Sequence, residues 1–223
     1  MVTPDLIRSI WIYATRSPGG MKPMCGRYCL EEGPEELARV FDAVVRDDWR
    51  ARFNIAPTQL VPVVRRTRRP GGAGRREIRT LRWGLVPSWA RDSSIGSRMV
   101  NARSETAFEK PSFRQAWRFR RCLVPANGFF EWTSDGGRKQ PWFVRRGDGA
   151  IMAFAGLWEK WVGPGGNEMD SVAILTTEAN AFMSEIHHRM PVMIDDGHWT
   201  AWLEDGDDGT PEGEVRRLAA EGS

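Results

Sequence analysis

The chain has 223 residues, 41% of them hydrophobic and 27% charged, with a formal net charge of +3. That length suits one domain with a sizeable core, and no apolar run approaches the roughly 18 residues of a membrane-spanning helix. Three cysteines, an odd number, argue against a disulfide framework and for a reducing, cytoplasmic setting.

Residues 1–23 read unlike the remainder. Ser17-Pro18-Gly19-Gly20 is linker chemistry, and the apolar stretch around Ile10-Trp11-Ile12-Tyr13, flanked by Arg8 and Arg16, is too short for a secretion signal. Met21 and Met24 follow closely, so this segment is expected to be a removable leader or an over-long start assignment, outside the fold.

A helix is predicted to begin after Gly33. Pro34 takes its first position, Glu35 and Glu36 face the positive end of the dipole, and Leu37, Val40, Phe41, Val44 and Val45 share one face. Strands are then predicted over 60–64 and 77–83, separated by the Pro70-Gly71-Gly72-Ala73-Gly74 turn region, and over 122–126, 142–145, 151–157 and 172–177. Residues 179–186 read as a short helix, and Asp196 as the cap of another that carries Trp199, Trp202 and Leu203. The acidic, glycine-rich residues 204–223 are expected to be a disordered tail. Short strands, hairpin-scale turns and few helices predict one α+β domain over residues 24–203, dominated by antiparallel sheet.

Charge is unevenly distributed. Between Arg65 and Arg82 eight arginines face one acid, Glu77; Arg114, Arg118, Arg120 and Arg121 form a second cluster; and six acids lie between Glu204 and Glu214. Such a pattern fits an anionic polymer partner, and it equally fits a coding preference for arginine over lysine. Of eleven tryptophans, most are expected in the core, with a few exposed beside arginines as a stacking platform for unpaired bases.

Five local clusters carry potential chemistry: Met24–Tyr28, Arg52–Pro57, Asn101–Glu105, Gly128–Trp132 and Ile186–Pro191. Cys25 follows Met24 and precedes Gly26, so translation from Met24 with removal of that methionine leaves an amino-terminal cysteine. Its amine can form an imine with an aldehyde, and its thiol can then close a thiazolidine; read structurally, Cys25 is a buried core cysteine. Glu131 lies between Phe130 and Trp132, where an inward orientation suits general acid–base catalysis and an outward one is ordinary strand alternation. His187 and His188 follow a short helix and suit proton transfer or a plain structural role. Cys25 and Cys29 with these histidines do not match a zinc-ligand spacing. Asn101 and Arg103 share one face of an extended segment, placing an amide beside a phosphate-binding fork. The stretch from Trp83 to Trp89 supplies stiff apolar residues, suited either to wedging between bases or to a core.

The Cys-Gly-Arg-Tyr start at Cys25, the Asn54-Ile55-Ala56-Pro57 segment, Trp83-Gly84-Leu85-Val86-Pro87, Asn101-Ala102-Arg103-Ser104-Glu105, Gly128-Phe129-Phe130-Glu131-Trp132 and Ile186-His187-His188-Arg189-Met190-Pro191 occur in one order. Together they resemble the SRAP family, the SOS-response-associated peptidases that shield abasic sites in single-stranded DNA, from Cys25 to about Trp202. The resemblance implies a single α+β domain on a mostly antiparallel, barrel-like sheet with a few flanking helices. It implies catalytic roles for Cys25, Asn101, Glu131 and His187, backbone contacts to DNA from Arg27 and Arg103, a cleft lined by Asn54, Pro57 and Trp89, and Thr176 near its floor. The implied activity is covalent capture of an abasic site through a thiazolidine on Cys25, with AP-lyase or autopeptidase activity beside it. No cofactor or metal is required. The implied partner is single-stranded DNA containing abasic sites, at forks or junctions, bound by a cytoplasmic, nucleoid-associated monomer. Two other readings share these residues: a cysteine autopeptidase acting on its own leader, and a non-catalytic single-strand-binding module.

Overall fold

Short β-type runs between turn residues favour strands along much of this chain, and the computed structural model, which describes residues 26–67, 74–135, 138–204 and 210–222, contains twelve strands among those residues. In chain order the elements are β1 (Tyr28–Leu30), α1 (Pro34–Phe41), β2 (Ala43–Val45), β3 (Arg52–Ile55), β4 (Leu60–Arg66), β5 (Arg76–Trp83), β6 (Asn101–Arg103), α2 (Ser104–Ala107), α3 (Arg114–Phe119), β7 (Arg121–Ala126), β8 (Gly128–Asp135), β9 (Arg138–Arg145), β10 (Met152–Val162), β11 (Glu168–Glu178), α4 (Ala181–Ser184), β12 (Arg189–Pro191), α5 (Trp199–Leu203) and α6 (Glu212–Glu221), with 3-10 turns at Ser93–Arg98 and Asp196–His198. Among the described residues no helix is long and apolar enough to cross a membrane.

Strands β11, β10, β7, β4 and β5 pair antiparallel in that order. A parallel pairing of β5 with β11, Arg82 opposite Ser171 and Trp83 opposite Val172, closes them into a five-stranded mixed barrel. Closure removes exposed edges from this core. Around it, β2 runs parallel to β5, β6 runs parallel to β11, and β12 pairs antiparallel with β11. The remaining strands form an antiparallel sheet in the order β3-β1-β8-β9. That sheet packs on the barrel through aromatic edges: Tyr28 lies 5.3 Å from Trp83 and 6.3 Å from Phe154, and Phe129 lies 5.9 Å from Phe154, centroid to centroid.

Three expectations change. First, α1 ends at Phe41, because Asp42 turns into the left-handed region at φ 46°. Val44 and Val45 then leave the helical face for β2, where β-branched residues pair with β5. Second, the tail is ordered over 212–221. Val215, Leu218 and Ala219 bury one face of α6, and the Met193 N–H donates to the Gly222 carbonyl at 2.6 Å; an i, i+3, i+4 apolar stripe outweighs the acidic composition.

Third, Arg68 and Arg69 lie outside the described residues, and most of the described arginines of the two clusters have structural partners. Arg65 pairs with Glu77 and Asp170 and lies over the Trp158 ring, Arg66 pairs with Glu204, Arg79 with Asp47, and Arg120 with Glu159. Arg76 donates to the Phe41 carbonyl and Thr200, and the buried Arg121 donates to the carbonyls of Trp117, Trp202 and Glu204. Arginine content therefore says little about the surface available to an anionic polymer.

Candidate active site

Cys25 lies outside the described residues, and the chain enters the site at Gly26 and Arg27. The Phe130 N–H donates to the Arg27 carbonyl at 2.8 Å, continuing the register that sets Tyr28 opposite Phe129. The paired ladder ends at Tyr28; carried two residues further, its register would bring Gly26 abreast of Glu131. Strand alternation puts Glu131 on the same face as Phe129, toward the barrel, and it is only 2% exposed.

Arg27 is half-buried and directs Nη1 to Asn54 Oδ1 at 2.8 Å, joining a residue that the resemblance assigns to backbone contacts with one that it assigns to the cleft. Pro57 follows in a tight turn from Ala56 to Gln59, in which Thr58 sits at φ 72°. Proline second and a positive φ third are the type II pattern, which normally places glycine where Thr58 stands. The left-handed conformation costs about 1–2 kcal/mol. It is held by the Thr58 N–H, which donates to the Trp83 carbonyl at 2.8 Å.

A second group gathers on the flank of the barrel. Parallel pairing sets Asn101 opposite Ile174 and Arg103 opposite Thr176, while Thr176 faces Pro191 of β12. Just before β12, the His187 N–H donates to the Met183 carbonyl at 2.8 Å, at the end of a helix that Asn180 caps through the Met183 N–H. His187 Nδ1 lies 3.0 Å from the Arg189 main-chain nitrogen and 3.1 Å from the Arg189 carbonyl oxygen, contacts that fit either ring tautomer and leave Nε2 turned away from them. His188 is exposed, with its ring 4.3 Å from that of His187.

The Arg189 guanidinium grips Glu105 at 2.6 and 2.9 Å and donates to the Thr176 carbonyl at 2.5 Å; Thr177 Oγ1 adds a contact to Glu105 at 3.4 Å. Burial works to raise the Glu105 carboxyl, but the hydrogen bonds and charge of Arg189 prevail and hold it below its ordinary value. The motif lines that carry Asn101 and His187 also contain Glu105 and Arg189, yet nothing in their spacing shows that these two meet.

Trp83 joins the two groups. Its ring meets Tyr28 on one side, and its indole N–H donates to the Val100 carbonyl at 2.9 Å, immediately before Asn101. Gly84 permits this crossing, for it adopts φ +127°, and a Cβ there would lie 2.5 Å from the Gly96 carbonyl oxygen. Beyond it the chain is pinned by the Val86 N–H on Ser171 Oγ and by Trp161 Nε1 on the Ala90 carbonyl. Trp89 between them is 58% exposed.

Among the described residues, Arg27 thus meets Asn54 beside β8, and Asn101 and Arg103 lie along β11 next to Thr176. Neither of the described cysteines is a ready nucleophile: burial, with Glu31 and Glu32 nearby, pushes the Cys29 thiol up to about 12, and burial raises that of Cys122 as well. Among the described residues no three His, Cys, Asp or Glu side chains cluster as metal ligands.

Residues 24–221 match the family described as SOS response associated peptidase (SRAP). The abasic site processing protein YoaM of Bacillus subtilis is 38% identical over 184 residues, covering 81% of this chain and 79% of its own. The abasic site processing protein HMCES of Gallus gallus is 30% identical, covering 81% of this chain and 66% of its own. Among solved structures, a Bacteroides thetaiotaomicron protein superposes with a TM-score of 0.77 at 25% identity, covering 88% of this chain and 87% of its own. A Bordetella bronchiseptica protein superposes with a TM-score of 0.73 at 30% identity, covering 86% of this chain and 92% of its own. The chain belongs to the SRAP family.

Proposed function

We propose that this protein processes abasic sites in single-stranded DNA by capturing them covalently on Cys25, once Cys25 is the amino terminus. The observation that carries this reading is the register of β1 on β8. Continued past Tyr28, that register would bring Gly26 toward the buried Glu131, and Cys25 is the residue bonded to Gly26. Relatives named for abasic site processing support the same chemistry.

An abasic deoxyribose interconverts between a ring hemiacetal and an open aldehyde. Glu131 assists opening by protonating the departing ring oxygen as the C1′ hydroxyl proton leaves. The α-amine of Cys25 adds to C1′, and the resulting carbinolamine loses water to give an imine. The Cys25 sulfur then adds to C1′ while the imine nitrogen takes a proton, closing a thiazolidine with no net oxidation. His187, with Nδ1 held by the Arg189 main chain, presents Nε2 for the proton transfers, and Asn101 orients the open sugar. Arg27 and Arg103 hold flanking phosphates, which positions the strand without reading sequence, while Asn54, Pro57, Trp89 and Thr176 shape the cleft.

The test uses protein translated from Met24, with methionine loss verified by mass, mixed with a single strand bearing one abasic site. A band resistant to denaturation that requires both the lesion and Cys25 is the expected result. Its absence from wild type, or its persistence in Cys25→Ala, overturns covalent capture through Cys25. Mass spectrometry of the chain translated from Met1 addresses the peptidase reading, which requires a mature terminus at Cys25 that is lost when Cys25 or Glu131 is replaced.

A further inference from the structure

The outer torsion of a histidine side chain is broad and roughly two-fold, so the ring is oriented by what it touches and not by its own chain. The His187 ring is held at one edge by the Arg189 main chain, at 3.0 Å to the nitrogen and 3.1 Å to the carbonyl oxygen. Both contacts fall on Nδ1. They constrain that corner and leave the ring able to tip about it, which would swing Nε2 away from any one direction.

The face of the ring meets His188. The two centroids lie 4.3 Å apart, with the rings inclined at 32°. Neighbouring side chains of an extended run point to opposite sides, but the chain bends at His188, which turns the two rings toward each other. That bend is anchored. β11 and β12 pair as far as Glu178 opposite Arg189, and the Ala179 N–H donates to the His188 carbonyl at 3.1 Å. The His187 N–H is tied in turn to the Met183 carbonyl at 2.8 Å. His188 itself is exposed, and its ring makes no hydrogen bond or ion pair among the described residues. Its side chain contributes the stack.

We propose that His188 is a positioning residue, whose ring lies on the face of His187 and, with the Arg189 main chain at the edge, fixes the direction of Nε2. The inference rests on the reading of His187 as the proton-transfer group in covalent capture. Stacking uses the ring face and not the ring nitrogens, so any flat aromatic side chain at position 188 serves.

The experiment follows adduct formation on a single strand bearing one abasic site, using protein translated from Met24. It records the rate at saturating strand, the strand concentration giving half that rate, and Tm. His188→Ala is expected to slow the saturated rate about fivefold, the scale of one aromatic pair, with half-saturation and Tm near their wild-type values. His188→Phe is expected to restore the rate to within about twofold of wild type, because the stacking face returns. His188→Gln, of similar reach but without a ring, is expected to stay as slow as His188→Ala. In a His187→Ala background, His188→Ala is expected to cost nothing further, since the ring it positions is gone.

A wild-type rate in His188→Ala overturns the proposal. His188→Phe as slow as His188→Ala overturns it in favour of an imidazole that carries protons itself. A loss confined to half-saturation overturns it in favour of a strand contact, and a rate loss that tracks a lower Tm in every variant overturns it in favour of a role in folding. Wild type that forms no adduct overturns covalent capture itself.

Discussion

Glu105 and Arg189, 84 positions apart, meet fork to fork at 2.6 and 2.9 Å, tying the segment that carries Asn101 to the segment that carries His187. Arg189 is buried, and the main chain of the same residue contacts His187 Nδ1. Arg189 therefore joins the two segments through its guanidinium and contacts the histidine ring through its main chain.

Replacing Glu105 with Gln keeps one acceptor but leaves a buried guanidinium short of its charge partner. The expected cost is about 1–3 kcal/mol, read as a fall in Tm of about 2–4 °C per kcal/mol for a chain of this size. Glu105→Ala is expected to cost more than Glu105→Gln. Equal Tm for wild type and both variants would show that the pair does not hold the two segments.

The same pair makes a pH signature. Because the folded Glu105 carboxyl lies below its ordinary value of 4.5, its stabilising contribution is complete above that pH and is lost as pH falls through the lowered value. The Tm difference between wild type and Glu105→Gln is expected to be constant from neutrality down to about pH 5 and to shrink in more acidic buffer. A difference that grows on acidification contradicts the assignment.

Thiol chemistry separates the cysteines. With the Cys29 thiol pushed up to about 12 and the Cys122 thiol also raised, both are protonated and buried at neutral pH. Alkylation of the native protein translated from Met24 is expected to add one group at Cys25 and none in Cys25→Ala, with all three cysteines reacting only after denaturation. Native labelling of Cys29, mapped by peptide mass, would contradict the burial argument.

His187 acts through Nε2 if Nδ1 stays with the Arg189 main chain. His187→Ala is expected to slow adduct formation on an abasic strand by about 10²-fold, at the lower end for a general acid–base group, with affinity for lesion-free DNA near the wild-type value. His187→Gln, whose amide reaches toward the Nε2 position, cannot shuttle a proton and is expected to be equally slow. An unchanged rate in both variants removes the histidine from the mechanism.

Gly84 is expected to tolerate no side chain. A Cβ at 2.5 Å from the Gly96 carbonyl oxygen, on a backbone at φ +127°, forces the Trp83–Val86 segment away from the 3-10 turn that leads to Asn101. Gly84→Ala is expected to destabilise by about 1–3 kcal/mol through backbone strain alone. A Tm within a degree of wild type would refute the close approach.

Much of the architecture was legible in residue order. The strand segments that became β4, β5, β7, β10 and β11 are short β-type runs bounded by turn residues, and the helix start at Pro34 follows dipole chemistry. Asn101, Glu131 and His187 were legible as candidates because each stands in a short run of unusual composition. Shorter elements escaped notice: β6 and β12 have three residues each, too few for any period to register. The six acids near the C-terminus masked the apolar stripe of α6, since average composition hides a pattern of three buried side chains.

Residue types and their local order alone determined an α+β chain, its principal strands and the chemical groups on offer, because propensity and periodicity act over a few neighbours. Tertiary structure decided which arginines are spent on ion pairs and that Glu105 meets Arg189 across the fold. Those outcomes depend on pairings such as β5 with β11 and β6 with β11, whose partners lie many residues apart. Charge compensation is settled only when such distant segments are brought within a few ångströms, a distance that no local pattern encodes.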